Sequence, residues 1–172
     1  MREYSLVKSD KVYLVGFMGA GKSSVGRALA RRLGWLFADI DELIEQREHA
    51  SVADIFARRG EPYFRTVERA VLAEQVPLRH AVVATGGGTF VDAQNRAVIK
   101  ADGAAVWLDA PLERVIARIP QDGRRPLATD RADLERLFES RRVAYEQADL
   151  RVDAGRPAVE LLVDQLVDWL ET

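Results

Sequence analysis

This sequence predicts an α/β fold in three layers, a doubly wound five-stranded parallel sheet between helices, and three observations carry that prediction. Short apolar runs alternate with helical patterns along 172 residues. Several of those runs end in glycines or acids, as strands do where ligands collect at the carboxyl edge of a parallel sheet. The first run is followed by Gly16 to Ser23, Gly-Phe-Met-Gly-Ala-Gly-Lys-Ser, the G-x-x-x-x-G-K-[ST] spacing of a phosphate-gripping loop.

The elements follow in order. Val12 to Val15 is β-branched and apolar, as a buried parallel strand requires. After the loop, Val25, Ala28, Leu29 and Leu33 recur at helical spacing until Gly34 ends the turn. Further strands are expected at Leu36 to Ala38, Ala81 to Ala84, Ala104 to Leu108 and, more weakly, Leu150 to Val152. Ser51 with Asp54 reads as a capping box, and Pro62 suits a first helical turn. Val159, Leu162, Val163, Leu166, Val167 and Leu170 line a closing amphipathic helix. A chain of this length with 48% hydrophobic residues fits a single domain, residues 1–172.

Composition narrows the function. Net charge is −2 with no lysine-rich block, which argues against nucleic-acid partners. No stretch is apolar and long enough to span a bilayer, and Met1 to Asp10 lacks the apolar core of a signal peptide. There is no cysteine, so disulfides and thiolate metal sites are excluded, in keeping with a cytoplasmic protein. No unclaimed apolar stripe is visible, and a monomer is expected. Only Lys8, Lys11, Lys22 and Lys100 among the 25 basic residues are lysine, so an arginine at any one position is weak evidence.

The loop's chemistry is legible residue by residue. Gly19, Ala20 and Gly21 leave backbone N–H groups free to converge on phosphate oxygens, Lys22 supplies a mobile positive charge, and Ser23 and Ser24 open the helix, Ser23 offering a hydroxyl to Mg²⁺. The helix start adds a partial positive charge. A dinucleotide fingerprint is a rival, but its third glycine would fall at Ser24 and Lys22 would have no role.

Asp39 and Asp41 straddle one residue at a strand end. Phosphoryl transfer needs two carboxylate tasks, one holding the metal and one orienting the acceptor hydroxyl and taking its proton. The same pair also reads as a helix N-cap followed by a first-turn acid. Gly86, Gly87 and Gly88 follow the third strand, where a bare backbone lets a substrate approach closely, although a loose turn capped by Thr85 has the same composition. Asp109 stands at the end of the fourth strand. The polar stretch from Pro120 to Asp130, with Gly123-Arg124-Arg125-Pro126, reads as a lid bringing guanidinium groups over phosphates, or as a solvated loop. His49 and His80 read as surface residues, and Trp35, Trp107 and Trp169 as core.

In order and spacing, the segments from about Lys11 to Leu170 resemble the shikimate kinases. The likeness is carried by the loop Gly16 to Ser23, Asp39-x-Asp41 with Ile44-Glu45, and Ala53-Asp54-Ile55-Phe56 leading to Phe64-Arg65. It continues through the glycine triplet, Arg125-Pro126-Leu127, and Arg141 four residues before Tyr145. The resemblance implies a P-loop kinase of the nucleoside monophosphate kinase type with a lid at about 120–130, transferring phosphate from ATP, with Mg²⁺, to a ring hydroxyl of shikimate. It implies that Lys22 contacts the transferred phosphate, Ser23 and Asp39 hold the metal, and Asp41 binds substrate hydroxyls as base. Arg65 and Arg141 would grip the carboxylate beside Gly86, Gly87 and Gly88. Arg125 would reach phosphate and substrate, and Arg118 and Arg156 would flank adenine.

Two departures stand out. Ala128 replaces a leucine common in the lid, and Gly155-Arg156-Pro157 is short for an adenine loop. A GTPase is disfavoured, since Asn95 is the only asparagine and Arg96 follows it. Another small-metabolite or nucleoside monophosphate kinase on the same scaffold remains the alternative. Apart from the resemblance, Arg65 beside Glu61 and Arg141 near Glu139 also read as surface residues.

Overall fold

A computed structural model describes residues 8–118 and 130–172. The lead-in up to residue 7, the expected lid as far as residue 129, and Arg125 with it lie outside the described residues.

The phosphate-loop strand β1 (Lys11–Val15) is followed by α1 (Lys22–Leu33), β2 (Leu36–Asp39), α2 (Ile40–Glu48), α3 (Val52–Arg59), α4 (Glu61–Gln75) and β3 (Ala81–Ala84). A 3₁₀ turn at Thr89–Val91 leads into α5 (Ala93–Asp102), β4 (Ala104–Asp109), α6 (Leu112–Arg118), α7 (Arg131–Tyr145), β5 (Leu150–Asp153) and α8 (Val159–Glu171). The strands are parallel in the order β2-β3-β1-β4-β5, with helices on both faces. The strand positions expected from the apolar runs hold to within one residue at each end.

The register gathers the strand ends that matter. Asp39 of β2 lies beside Ala84 of β3, which also pairs with Leu14, and Val15 lies beside Trp107 of β4. The first strand is buried along its whole length, because both faces of a parallel sheet are covered by helices. Each of Leu14, Val15 and Leu108 is fully buried, an effect of roughly 1.5–3 kcal/mol per side chain. Gly26 brings α1 onto β2, since a Cβ there would lie 2.7 Å from the Phe37 ring.

Local signals act as the sequence predicts. Ser51 accepts from the Asp54 N–H at 3.1 Å and starts α3. Pro62 sits in the first turn of α4, and Gly34 closes α1 in a left-handed conformation. Both histidines are exposed, and both take left-handed backbone conformations, His49 closing α2 and His80 leading into β3. The alternative that had Thr85 capping a loose turn does not hold: its hydroxyl donates to the Leu14 carbonyl at 2.8 Å, stitching the end of β3 to β1.

At the opposite edge of the sheet Lys11 is completely buried, and its charge is met by Asp102 at 2.6 Å. Its ammonium also donates to the carbonyls of Gln75 and Val76, where α4 ends. The Tyr13 hydroxyl donates to the same carboxylate at 2.5 Å, and Arg79 pairs with its other oxygen. Buried charges persist only when so compensated.

Candidate active site

Gly19 and Gly21 take φ of 77° and 99°, conformations open to glycine at little cost. The loop therefore wraps over the start of α1, where no side chain caps the helix and the first N–H groups face outward as anion donors. Lys22 is buried and curls back over the loop, donating to the carbonyls of Gly16 at 2.6 Å and Phe17 at 2.9 Å. Arg118, at the end of α6, reaches across to the Gly19 carbonyl at 3.2 Å. Arg156 is exposed on the connection after β5, where Gly155 abuts Pro111, and it does not line the cavity described next.

A cavity of about 530 Å³ joins the loop to the ends of β2 and β3. Lys22, Ser23, Ser24, Asp39, Asp41 and Gly86 all line it. The two readings of the acid pair turn out to be compatible. Asp39 ends β2 and caps α2, one oxygen accepting from the Glu42 N–H at 3.1 Å, while its other oxygen accepts from the Ser23 hydroxyl at 2.5 Å. Asp41 stands in the first turn of α2 and lines the same cavity as Lys22. A hydroxyl and a carboxylate held together make a hard oxygen pair, which fits a magnesium ion that keeps most of its waters.

The glycine triplet has a sharper cause than close substrate approach alone. A Cβ on Gly86 would lie 2.7 Å from Asp41 Oδ1, one on Gly87 2.9 Å from Arg141 Nη1, and one on Gly88 2.5 Å from Arg65 Nη2. A side chain at any of the three consecutive positions would therefore force a polar group from α2, α7 or α4 to shift. The structure brings Asp41, Arg65 and Arg141 together along one backbone strip.

The two arginines are held differently. Arg65 Nη1 donates to both oxygens of Glu68 at 3.0 and 3.1 Å, and its Nε and Nη2 reach Glu61 at a weaker 3.4 Å. Arg141 is 6% exposed. Burial, helped by the like charge of Arg65, lowers its pKa, while Tyr145 and Glu61 oppose the shift. Burial pushes the Tyr145 hydroxyl up against the opposing charges of Arg141 and Arg65, so it stays protonated and donates to the Gly87 carbonyl.

Sequence reasoning missed Glu68 and Thr89. Glu68 is 1% exposed; it accepts from the Thr89 hydroxyl at 2.9 Å, and that same hydroxyl oxygen accepts from the Gly86 N–H at 3.0 Å. A chain from Arg65 through Glu68 and Thr89 to Gly86 therefore sets the triplet's shape. The one signal available was the i, i+3 spacing of Arg65 and Glu68 on a predicted helix. Arg65 and Arg141 do not line the first cavity; with Gly88 and Arg136 they line a further one of about 730 Å³ between α4, the 3₁₀ turn and α7.

Comparison with known proteins agrees with this geometry. The sequence model of one family, described as Shikimate kinase, matches residues 18–171. A shikimate kinase from Persephonella marina is 41% identical over 157 residues, covering 91% of this chain and 96% of that protein. The solved structure of shikimate kinase from Acinetobacter baumannii in complex with shikimate superposes with a TM-score of 0.90 at 36% identity, covering 95% of this chain and 94% of that one. A deoxyadenosine kinase from M. mycoides shares the fold, with a TM-score of 0.63 at 17% identity over 94% of this chain and 100% of that chain. With the phosphate loop, the acid pair and the arginine-flanked triplet in place along nearly its whole length, this chain belongs to the shikimate kinase family.

Proposed function

We propose that the protein transfers the γ-phosphoryl group of ATP to a ring hydroxyl of shikimate, giving shikimate 3-phosphate for aromatic amino-acid biosynthesis. The observation that carries this reading is the convergence of Asp41, Arg141 and Arg65 on Gly86, Gly87 and Gly88, with Asp41 opening onto the same cavity as Lys22. A polyol acid needs an acceptor for its hydroxyls and cationic forks for its carboxylate, and two guanidiniums grip a planar carboxylate as ammoniums cannot.

In this reading Asp41 orients the acceptor hydroxyl and takes its proton as the bond to phosphorus forms. Lys22 and the N–H groups of Gly19, Ala20 and Gly21 hold the phosphates, Ser24 adds to the helix start, and Arg118 lies toward the adenine side. Arg156, exposed on its loop, completes that side. Ser23 and Asp39 hold magnesium, which when bound neutralises charge on the phosphate oxygens. The substrate carboxylate takes the Glu61 side of Arg65, replacing bonds of 3.4 Å, while Glu68 keeps the guanidinium aimed. Arg141, buried beside Gly87, supplies the second fork.

The protein works as a single-domain cytoplasmic monomer without nucleic-acid or membrane partners. Exposed large apolar residues such as Leu36, Val143 and Leu161 stand on separate elements, and no helix among the described residues is long and apolar enough to cross a membrane. The deciding experiment measures ADP release with ATP and Mg²⁺ against shikimate, quinate, gluconate and nucleoside monophosphates. Turnover on shikimate alone is expected; preferential turnover of a nucleoside monophosphate would instead favour a base-reading kinase on the same scaffold.

A further inference from the structure

Asp109, the acid at the end of β4, has no place in the chemistry above, yet it is 11% exposed and wedged between two guanidiniums. Its Oδ1 accepts from Arg142 Nη1 at 3.2 Å, and its Oδ2 accepts from Arg151 Nε at 2.8 Å with Arg151 Nη2 at 2.5 Å. Arg142 belongs to α7 and is the immediate neighbour of Arg141. Arg151 belongs to β5, so the carboxylate ties a helix to the sheet.

The contacts around this pair lead back to the glycine triplet. Both guanidiniums lie over the Trp107 ring, at 5.1 Å for Arg142 and 5.0 Å for Arg151. Trp107 in turn meets Tyr145 with ring centroids 5.9 Å apart, and Tyr145 donates to the Gly87 carbonyl. Arg142 also sits 5.6 Å from the Phe138 ring, which packs edge-to-face with Phe17 of the phosphate loop, ring centroids 5.2 Å apart. The C-terminal half of α7 is therefore seated on β4 at the Arg142 contact, and any rotation or slide of the helix there moves Arg141 as well.

We infer that Asp109 is a positioning residue for the acceptor's carboxylate: by countercharging Arg142 it seats α7 on β4 and so fixes where Arg141 and Tyr145 meet Gly87. The inference rests on the reading that Arg141 grips the carboxylate of shikimate. It predicts a defect felt more by the acceptor than by the nucleotide, because Lys22, Asp39 and Asp41 hang from other elements, although Phe138 of α7 packs on Phe17 of the phosphate loop.

Kinetics on Asp109→Asn, Arg142→Met and the double variant test it. Arg142→Met is the milder change, since Arg151 keeps Asp109 compensated and the thioether still covers Trp107. Each single variant is expected to raise the shikimate KM about tenfold while leaving kcat and the ATP KM within about twofold. The double variant should be no worse than the worse single, the signature of one shared contact, and Asp109→Glu should recover part of the loss. An unchanged shikimate KM, an equal rise in both KM values, or multiplying effects in the double variant would overturn the inference. If Asp109→Asn does not fold, Arg142→Met decides alone by the same criteria. A wild-type enzyme inactive on shikimate would instead overturn the reading beneath it, and the inference with it.

Discussion

Both carboxylate oxygens of Glu68 lie within 3.1 Å of Arg65 Nη1, and one of them also receives the Thr89 hydroxyl at 2.9 Å. One buried acid thus aims the Arg65 guanidinium and, through Thr89, shapes the backbone turn at Gly86. Glu68→Gln keeps the volume but removes the charge that Arg65 needs, and an amide nitrogen meets a donor. We expect the shikimate KM to rise roughly tenfold or more, with a stability loss of about 1–3 kcal/mol. Steady-state kinetics and urea unfolding check the two effects separately, and a variant with native KM would remove the aiming role.

Gly86→Ala tests the steric account of the triplet. Its Cβ would meet Asp41 Oδ1 at 2.7 Å, so the carboxylate proposed as the base must shift. Turnover should fall by about a hundredfold or more, the range for losing a positioned general base, and Asp41→Asn should match it. Nucleotide affinity, measured by titration calorimetry, should change little in either. A Gly86→Ala enzyme with native kcat would show that Asp41 has room to spare.

Arg141→Lys preserves charge and loses the fork. Because Arg141 is buried beside Gly87, a lysine there gives one point contact in place of paired hydrogen bonds. Acceptor binding should weaken by about ten- to a hundredfold, equivalent to ~1.4–2.8 kcal/mol. Nucleotide binding should hold. Equal losses in the two titrations would count against a carboxylate clamp at this position.

Asp102 makes a prediction about pH. Burial alone would raise its pKa, but hydrogen bonds from Lys11, Tyr13 and Arg79, with the charge of Lys11, outweigh it and hold the carboxyl below its ordinary value. A carboxylate whose pKa is lower in the folded state contributes stability that is present above its unfolded pKa, about 3.9, and lost as pH falls through the folded value. Wild-type stability should therefore drop below about pH 4, and urea midpoints for Asp102→Asn should fall less steeply there. At pH 7 that variant leaves the Lys11 ammonium buried without its countercharge, an expected cost of about 3–5 kcal/mol. Parallel acid limbs for the two proteins would show that the pair contributes nothing to the pH dependence.

Some parts of this molecule were readable directly and others were not. The first four strands were, because each holds a short apolar run whose character does not depend on distant partners, while β5, Leu-Arg-Val-Asp, carried a weaker signal. Asp39 was half readable: its spacing allowed a cap or a metal ligand, and its two oxygens serve a cap and Ser23 at once. The partners of Glu68 and Asp109 were not readable beyond the i, i+3 spacing of Glu68 and Arg65, since an acid on a helix or at a strand end looks the same whether it faces water or a guanidinium. Arg141 and Arg142 stand side by side, yet one faces the glycine triplet and the other an aspartate on β4.

By itself, then, the sequence determined the order of strands and helices, the anion-binding loop at Gly16 to Ser23 and the family likeness, because periodicity and turn chemistry act within a few residues. The tertiary structure alone decided which charges meet. Thr89 and Glu68 are 21 positions apart, Tyr145 and Gly87 are 58 apart, and Arg151 and Asp109 are 42 apart. Such pairings are set by crossover geometry and helix rotation, and with lysine at only four of the 25 basic positions, residue type could not mark which arginines meet the glycine triplet.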